Sequence, residues 1–437
     1  MNKKLLYTAF VVAMAGFLFG FDTVVISGAD QQLQELWKTS DLFHGTFVMS
    51  MALWGTVLGA IFAHIPCNGI GRKNTLFWIG VFYFVSALGS GLATDPYLFS
   101  FFRFLGGLGV GASTVAAPTY VSEIAPAKNR GKLVVLYQFN IVLGILIAFI
   151  SNYLLKDVGA QPWRWMVGIE ALPALIYVLA ISSIPKSPRW LVDKKGDVET
   201  AKKIHLELTG TEMDLAKWSS AESTNTPQKP LFNKKYRFPL LLAFLIAFFN
   251  QLSGINAFLY YAPRIFKSAG LEESASLLSS IGIGVTNLLF TLLGLYLIDR
   301  LGRKTLMYIG SFGYIISLGL VAMAFLLDWE GIMVPIFLFL FIAAHAIGQG
   351  SVIWVFISEI FPTEVRAQGQ SFGSSTHWVL AALITLFMPV AMAGLSSPGF
   401  VFLFFAAMMV LQLVFVIFMM PETKGKTLEE LQESILK

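Results

Sequence analysis

Apolar residues fall in twelve runs of about twenty residues each, the length that carries a helix across the hydrocarbon core of a bilayer. The runs centre near Phe17, Val57, Val81, Leu108, Leu143, Ala174, Ala247, Leu288, Ile315, Leu340, Leu380 and Val410, with charged and turn residues between them. The pattern predicts an all-α membrane protein of twelve transmembrane helices. One sizeable polar segment interrupts the series, from residue 187 to residue 236. Its stretch Val198 to Lys217 has helical character, and Ser223 to Pro230 is polar and turn-rich. So short a segment is below the size of an ordinary catalytic domain and is expected to form linker helices.

The polar punctuation repeats. Gly71-Arg72-Lys73 after the second run recurs as Gly302-Arg303-Lys304 after the eighth. Ser122-Glu123-Ile124-Ala125-Pro126 with Arg130 recurs as Ser358-Glu359-Ile360-Phe361-Pro362 with Arg366, and Pro185-Lys186-Ser187-Pro188-Arg189 is echoed more faintly by Pro421-Glu422-Thr423-Lys424. Such matched spacing implies two six-helix halves repeated in parallel. The expected boundaries are 1–186 for the first half, 187–236 for the linker, 237–421 for the second half and 422–437 for a tail.

Composition removes the soluble alternatives. The 437-residue chain is 56% hydrophobic and 13% charged, with a mean hydropathy of +0.70, outside the range of soluble domains. The net charge of +5 does not indicate nucleic acid, because the basic residues sit in short loops between apolar runs, concentrated in every second loop and so on one side of the membrane. By the positive-inside pattern both termini are expected in the cytoplasm, and the protein in the cell (inner) membrane. The first run follows Asn2-Lys3-Lys4 like a signal peptide, but it carries Asp22 and lacks a small-residue cleavage site, so a retained span is expected. The single cysteine, Cys67, can form no internal disulfide.

Candidate chemistry lies inside the runs. The seventh contains Asn250-Gln251-Leu252-Ser253-Gly254-Ile255-Asn256. Neutral amides at mid-membrane depth need polar partners, and they suit a neutral polyhydroxylated ligand because an amide both donates and accepts hydrogen bonds. Gluing helices together is the alternative for any one of them. Asp22 is the one carboxylate deep in the first run, and Arg103 on the fourth is its natural partner. The pair either takes up a proton or is a static salt bridge. Arg72, Glu123, Arg130, Arg303, Glu359 and Arg366 form a repeated charge set expected to pair across the halves when the outside is open and to separate when the inside opens, or merely to cap helix ends and anchor at headgroups. Glycine pairs such as Gly16 and Gly20, Gly55 and Gly59, and Gly107 and Gly111 point to close helix packing. No phosphate-binding loop, nucleophile-base pair or metal-ligand set is present in the sequence, so neither an ATP-driven pump nor an enzyme is indicated, and no cofactor is expected.

Taken together, Asp299-Arg300-Leu301-Gly302-Arg303-Lys304, Pro-Lys-Ser-Pro-Arg at 185–189, Gln251 to Asn256, Tyr260-Tyr261-Ala262-Pro263, Trp354 to Pro362 and Pro421 to Gly425 resemble the sugar porter family of the major facilitator superfamily. The resemblance covers essentially the whole chain. It implies that Gln138, Asn250, Gln251, Asn256, Asn287 and Trp354 contact a monosaccharide, and that Tyr260 and Tyr261 serve an outer gate. His345 and His377 fall where a mammalian fructose carrier of the family also has histidines, which adds them as candidate sugar contacts, whereas Trp354 is shared with glucose and xylose carriers. The Asp22 and Arg103 pair resembles that of bacterial proton-coupled members.

Four positions depart from the family pattern. Asn250 replaces the first of two usual glutamines, Gly348-Gln349 stands where many members have Gly-Pro, Gly69 replaces a basic residue, and Lys186 replaces a glutamate. The resulting expectation is a monomeric monosaccharide/proton symporter in the lipid bilayer, for a hexose such as fructose or for a pentose, working by alternating access. An uncoupled carrier and a transport-inactive sugar sensor are the alternatives.

Overall fold

The computed structural model describes residues 2–213, 230–329, 331–362, 364–426, 430, 431 and 435, with main chain only for 127–132 and 134. Among the described residues, twelve helices are long and apolar enough to cross a membrane. They are α1 (Lys3–Gly28), α2 (Asp41–Gly69), α3 (Arg72–Leu92), α4 (Pro96–Ile124), α5 (Val135–Leu155), α6 (Pro162–Ser183), α7 (Lys234–Ser268), α8 (Glu273–Leu301), α9 (Arg303–Leu326), α10 (Met333–Ile360), α11 (Arg366–Gly394) and α12 (Gly399–Phe418). Their outward faces expose large apolar side chains such as Leu179, Phe404 and Phe418, which a lipid environment accommodates. The expected fold class stands: α1–α6 and α7–α12 form two six-helix halves.

The linker contributes a helix, Val198–Thr209. Its expected continuation to Lys217 and most of the turn-rich stretch lie outside the described residues. The linker is held to the start of α1, where Lys4 Nζ meets Glu207 at 2.5 Å and Asn2 Nδ2 donates to the Glu207 carbonyl. The face carrying the linker and the start of α1 is called the linker side below, and the opposite one the far side.

The internal repeat is visible atom by atom on the linker side. Arg72 bonds Glu123 at 2.8 Å and Ser187 Oγ donates to the second oxygen of Glu123 at 2.5 Å. Arg303 bonds Glu359 at 2.7 Å, and Thr423 Oγ1 donates to Glu359 at 2.6 Å. Gly71 and Gly302, at φ 90° and 91°, make the same left-handed turn into α3 and α9, a conformation that strains any residue with a Cβ. In the state described Arg72 pairs with Glu123 and Arg303 with Glu359, each within one half, because the turn before α3 or α9 sits beside the end of α4 or α10; the expected pairing across the halves belongs to a state open to the outside. Arg366 Nε donates to the Phe361 carbonyl, and the side chain of Arg130 lies outside the described residues.

One departure from the repeat has a visible consequence. Glu422 accepts from the backbone N–H groups of Arg303, Lys304, Thr423 and Lys424 at 2.9–3.0 Å, so it is an anionic cap on the first turn of α9 rather than part of a free tail. Lys186 holds the matching place in the first half, where a cation cannot accept from the start of α3. Burial opposes ionisation of Glu422, but the four N–H donors outweigh it and hold its carboxyl below the usual glutamate range. A depressed value means that the stabilisation is complete above the ordinary glutamate pKa of about 4.5 and is lost as the pH falls through the depressed one. Thermal unfolding in detergent, followed by tryptophan fluorescence, should therefore show a midpoint that drops on acidification below about pH 5. Glu422→Gln should lower the midpoint at neutral pH and flatten this acid limb; an unchanged limb would remove Glu422 as its source.

Candidate functional site

The same rule that makes a continuous apolar helix stable in lipid makes a broken one conspicuous. Unpaired backbone groups survive at membrane depth only where protein or a cavity satisfies them. α7 breaks at Gly254, whose φ of 84° separates Arg237–Leu252 from Ile255–Ser268, and bends again at Tyr261 just before Pro263. α10 breaks at Gly348, between Met333–Ile347 and Gln349–Ile360. The two breaks face one cavity of about 130 Å³ between the halves. All eight sequence-predicted ligand contacts, Gln138, Asn250, Gln251, Asn256, Asn287, His345, Trp354 and His377, line this cavity or its wall. No Asp, Glu, Lys or Arg is among its lining residues.

The amides are tied to one another. Gln251 Nε2 lies 3.1 Å from the His377 ring nitrogens and donates to Asn250 Oδ1 at 2.9 Å, while its Oε1 accepts from Asn256 Nδ2 at 2.8 Å. Trp354 and His377 have ring centroids 5.0 Å apart, which gives the cavity an aromatic floor. His345 is held from behind by the Tyr314 hydroxyl at 2.6 Å. The first half supplies Gln138 from α5 and, unforeseen from the sequence, Phe19 and Thr23 from α1. Phe19 also packs on Trp378 of α11, at 5.7 Å between centroids.

Thr23 is next in sequence to Asp22. Asp22 and Arg103 are buried, 1% exposed each, and Arg103 donates to the Asp22 carboxylate at 2.5 Å and to the Asp22 carbonyl at 3.1 Å. Sequence reasoning missed the third member, Glu170, also 1% exposed, at the break of α6. Asp22 and Arg103 are the charged groups acting on it. Glu170 Oε1 and Arg103 Nε have no hydrogen-bond partner among the described residues. Its signal was available: a lone glutamate inside the apolar run from Trp163 to Ile184. Two buried carboxylates beside one arginine balance their charge when the pair holds one proton, which belongs to the pair rather than to either residue.

Above the cavity the far side is shut. Tyr260 and Tyr261 are fully buried, and the Tyr261 hydroxyl donates to the Thr385 carbonyl of α11 at 2.9 Å. Tyr260 is within electrostatic reach of Arg103 and Asp22 in the other half. A second unforeseen group, one helical turn on, crosses between the halves. Arg264 bonds both carboxylate oxygens of Asp30, at 2.6 and 2.9 Å, and reaches Gln34 at 2.5 Å, while His44 Nε2 lies 2.7 Å from Asp30. Asp30 and His44 are fully buried. Beside them Gly45 packs so closely on α11 that a Cβ there would lie 2.0 Å from the Leu386 carbonyl oxygen.

Comparison with known proteins is consistent along the whole chain. The family model described as "Sugar (and other) transporter" matches residues 8–435. A probable metabolite transport protein, CsbC, of Bacillus subtilis is 36% identical, the alignment covering 100% of this chain and 95% of that protein. The arabinose-proton symporter of the same organism is 33% identical, over 97% and 93%. The inward open conformation of the xylose transporter XylE from E. coli superposes with a TM-score of 0.87 at 30% identity, covering 99% of this chain and 100% of that one.

Proposed function

The chain belongs to the sugar transporter family and is a multi-pass membrane transport protein rather than an enzyme, and from that premise we propose that it is a monosaccharide/proton symporter working by alternating access. The observation that carries the reading is the cavity: eight neutral polar or aromatic side chains converge on it, and charged ones are excluded from its lining. Neutral amides paired with indole and imidazole faces bind a neutral ring bearing several hydroxyls, each of which donates and accepts. A hexose or a pentose is the substrate class.

The residues divide the work. Gln251 and Asn256 on α7, with Gln138, Asn287, Asn250 and His377, hold the hydroxyls, and Trp354 lies under the ring. Asp22 and Glu170 share the proton beside Arg103. Protonation neutralises the group, and Thr23 and Phe19 on the same helix transmit its state to the cavity wall. Tyr260 connects the group to the break in α7. The latch of Asp30 with Arg264 holds the far side closed in the state described, and its release opens that side while the two halves, 1–186 and 237–421, rock about the cavity. Basic residues concentrated on the linker side support a cytoplasmic location for that side and for both termini in the cell membrane. The relatives named as a proton symporter and as a xylose transporter support the same assignment. No contact with a second copy is required, and the protein acts as a monomer.

Uptake of labelled glucose, xylose, arabinose and fructose into liposomes holding the purified protein, with and without an inward proton gradient, tests the reading. Accumulation of one of them above the outside concentration, only with the gradient, is the expected result. Gradient-independent equilibration would leave an uncoupled carrier, and no uptake of any of the four would overturn the assignment.

A further inference from the structure

The cavity amides do not end at the cavity wall. Asn250 Nδ2 donates to Gln349 Oε1 at 3.4 Å, Gln349 Nε2 donates to Gln412 Oε1 at 2.9 Å, and Gln412 Nε2 donates to Ser311 Oγ at 2.8 Å. Joined to the bonds from Asn256 to Gln251 and from Gln251 to Asn250, these make one chain of five amides in which every member donates in the same direction, from α7 through α10 and α12 to α9. Asn250, Gln251, Gln349 and Gln412 are nearly or wholly inaccessible. Gln349 and Gln412 are not among the residues lining the cavity.

We propose that Gln349 and Gln412 are positioning residues for the sugar-binding amides, so that α12, remote from the cavity, sets ligand affinity. This rests on the sugar-transport reading above. A side-chain amide can present either its carbonyl or its amino group to a ligand. Flipping one member of a buried chain would set two carbonyls or two amino groups against each other on each side of it, at the cost of unpaired buried groups. The chain therefore allows one polarity throughout. With the Ile246 carbonyl, which can only accept, fixing the amino group of Gln349, Asn256 donates to Gln251 and keeps its own carbonyl oxygen for the cavity, and Gln251 directs its amino group to Asn250 and His377.

Gln349 has a second consequence. It is the first helical residue after the break in α10, and its Nε2 also reaches the Ile246 carbonyl of α7 at 3.4 Å, so it ties the two broken helices together just below the cavity. A proline at this place, which has no side-chain amide, could do neither.

The test is a double-mutant cycle on binding. Affinities for D-glucose and D-xylose are measured by isothermal titration on the full-length protein in detergent for the wild type, Gln412→Leu, Asn250→Ala and the double variant. Gln412→Leu should weaken binding about tenfold, with the maximal exchange rate in liposomes unchanged. The same change in the Asn250→Ala background should cost little, because the effect travels through Asn250. Gln412→Glu, which keeps an acceptor for Gln349 Nε2, should recover part of the affinity. Equal losses in both backgrounds, or a lowered melting temperature with unchanged affinity, would overturn the inference. Binding of neither sugar by the wild type would overturn the sugar reading itself and this inference with it, a result distinct from binding that is indifferent to Gln412→Leu.

Discussion

Asp22→Asn should abolish gradient-driven accumulation while leaving sugar exchange across the membrane intact. Asparagine keeps the shape of aspartate and still offers Oδ1 to Arg103, which now bonds the Asp22 carboxylate at 2.5 Å, but it cannot take up or release a proton in the physiological range. The remaining carboxylate, Glu170, then stands alone beside Arg103, and the pair is charge-balanced without a transported proton. Each pH unit of gradient supports at most about a tenfold sugar gradient per proton coupled. In the variant the internal concentration should stop at the external one at every gradient, whereas counterflow of unlabelled against labelled sugar should proceed. The paired readout separates loss of coupling from loss of fold, since a misfolded variant would lose both. Persistent accumulation by Asp22→Asn would reduce the buried pair to a structural salt bridge.

How far this reading could have been made from the sequence varies by element. The twelve spans and the two halves follow from apolar run length and from three repeated polar clusters, because lipid permits few solutions to backbone hydrogen bonding. Among the eight cavity residues, Asn250, Gln251 and Asn256 are legible because polar residues in an apolar run must converge on something polar, whereas Gln138, Asn287, Trp354, His345 and His377 follow from the family resemblance. Two kinds of information were not local. Glu170 reads as a lone glutamate, and only the fold brings the α6 break to Asp22 and Arg103. Asp30 reads as one of several acids in a polar loop, and nothing near it in sequence announces that it is buried against Arg264, 234 residues away. The repetition of the charge clusters on the linker side is legible in the sequence, and in the state described each cluster closes a turn within its own half. Lys186 shows what that turn requires, since the position where Glu422 caps α9 carries the wrong charge to cap α3.

Arg264→Gln should shift the protein towards a state open on the far side. Arg264 and Asp30 belong to different halves, so parting the halves on the far side would break their bidentate contact. Asp30 is wholly buried there. Without the guanidinium its charge would remain buried against His44 alone. Removing one partner of a buried pair costs several kcal/mol; Arg264 is 12% exposed at its side chain, and allowing for the water that reaches it leaves about 2 kcal/mol. When the halves part, both charges are hydrated, so nearly all of this falls on the closed state. The ratio of far-side-open to far-side-closed molecules should rise roughly thirtyfold. Leu259, buried in the cavity wall, reports on it: in a Cys67→Ser background, Leu259→Cys should be modified by a membrane-impermeant thiol reagent applied to the far side much faster when Arg264→Gln is present. Asp30→Asn combined with Arg264→Gln should restore slow labelling, because it removes the stranded charge and leaves two amides able to bond each other. Labelling that is equally slow in all three proteins would show that the far side is held shut by packing alone, at contacts such as Gly45 against Leu386.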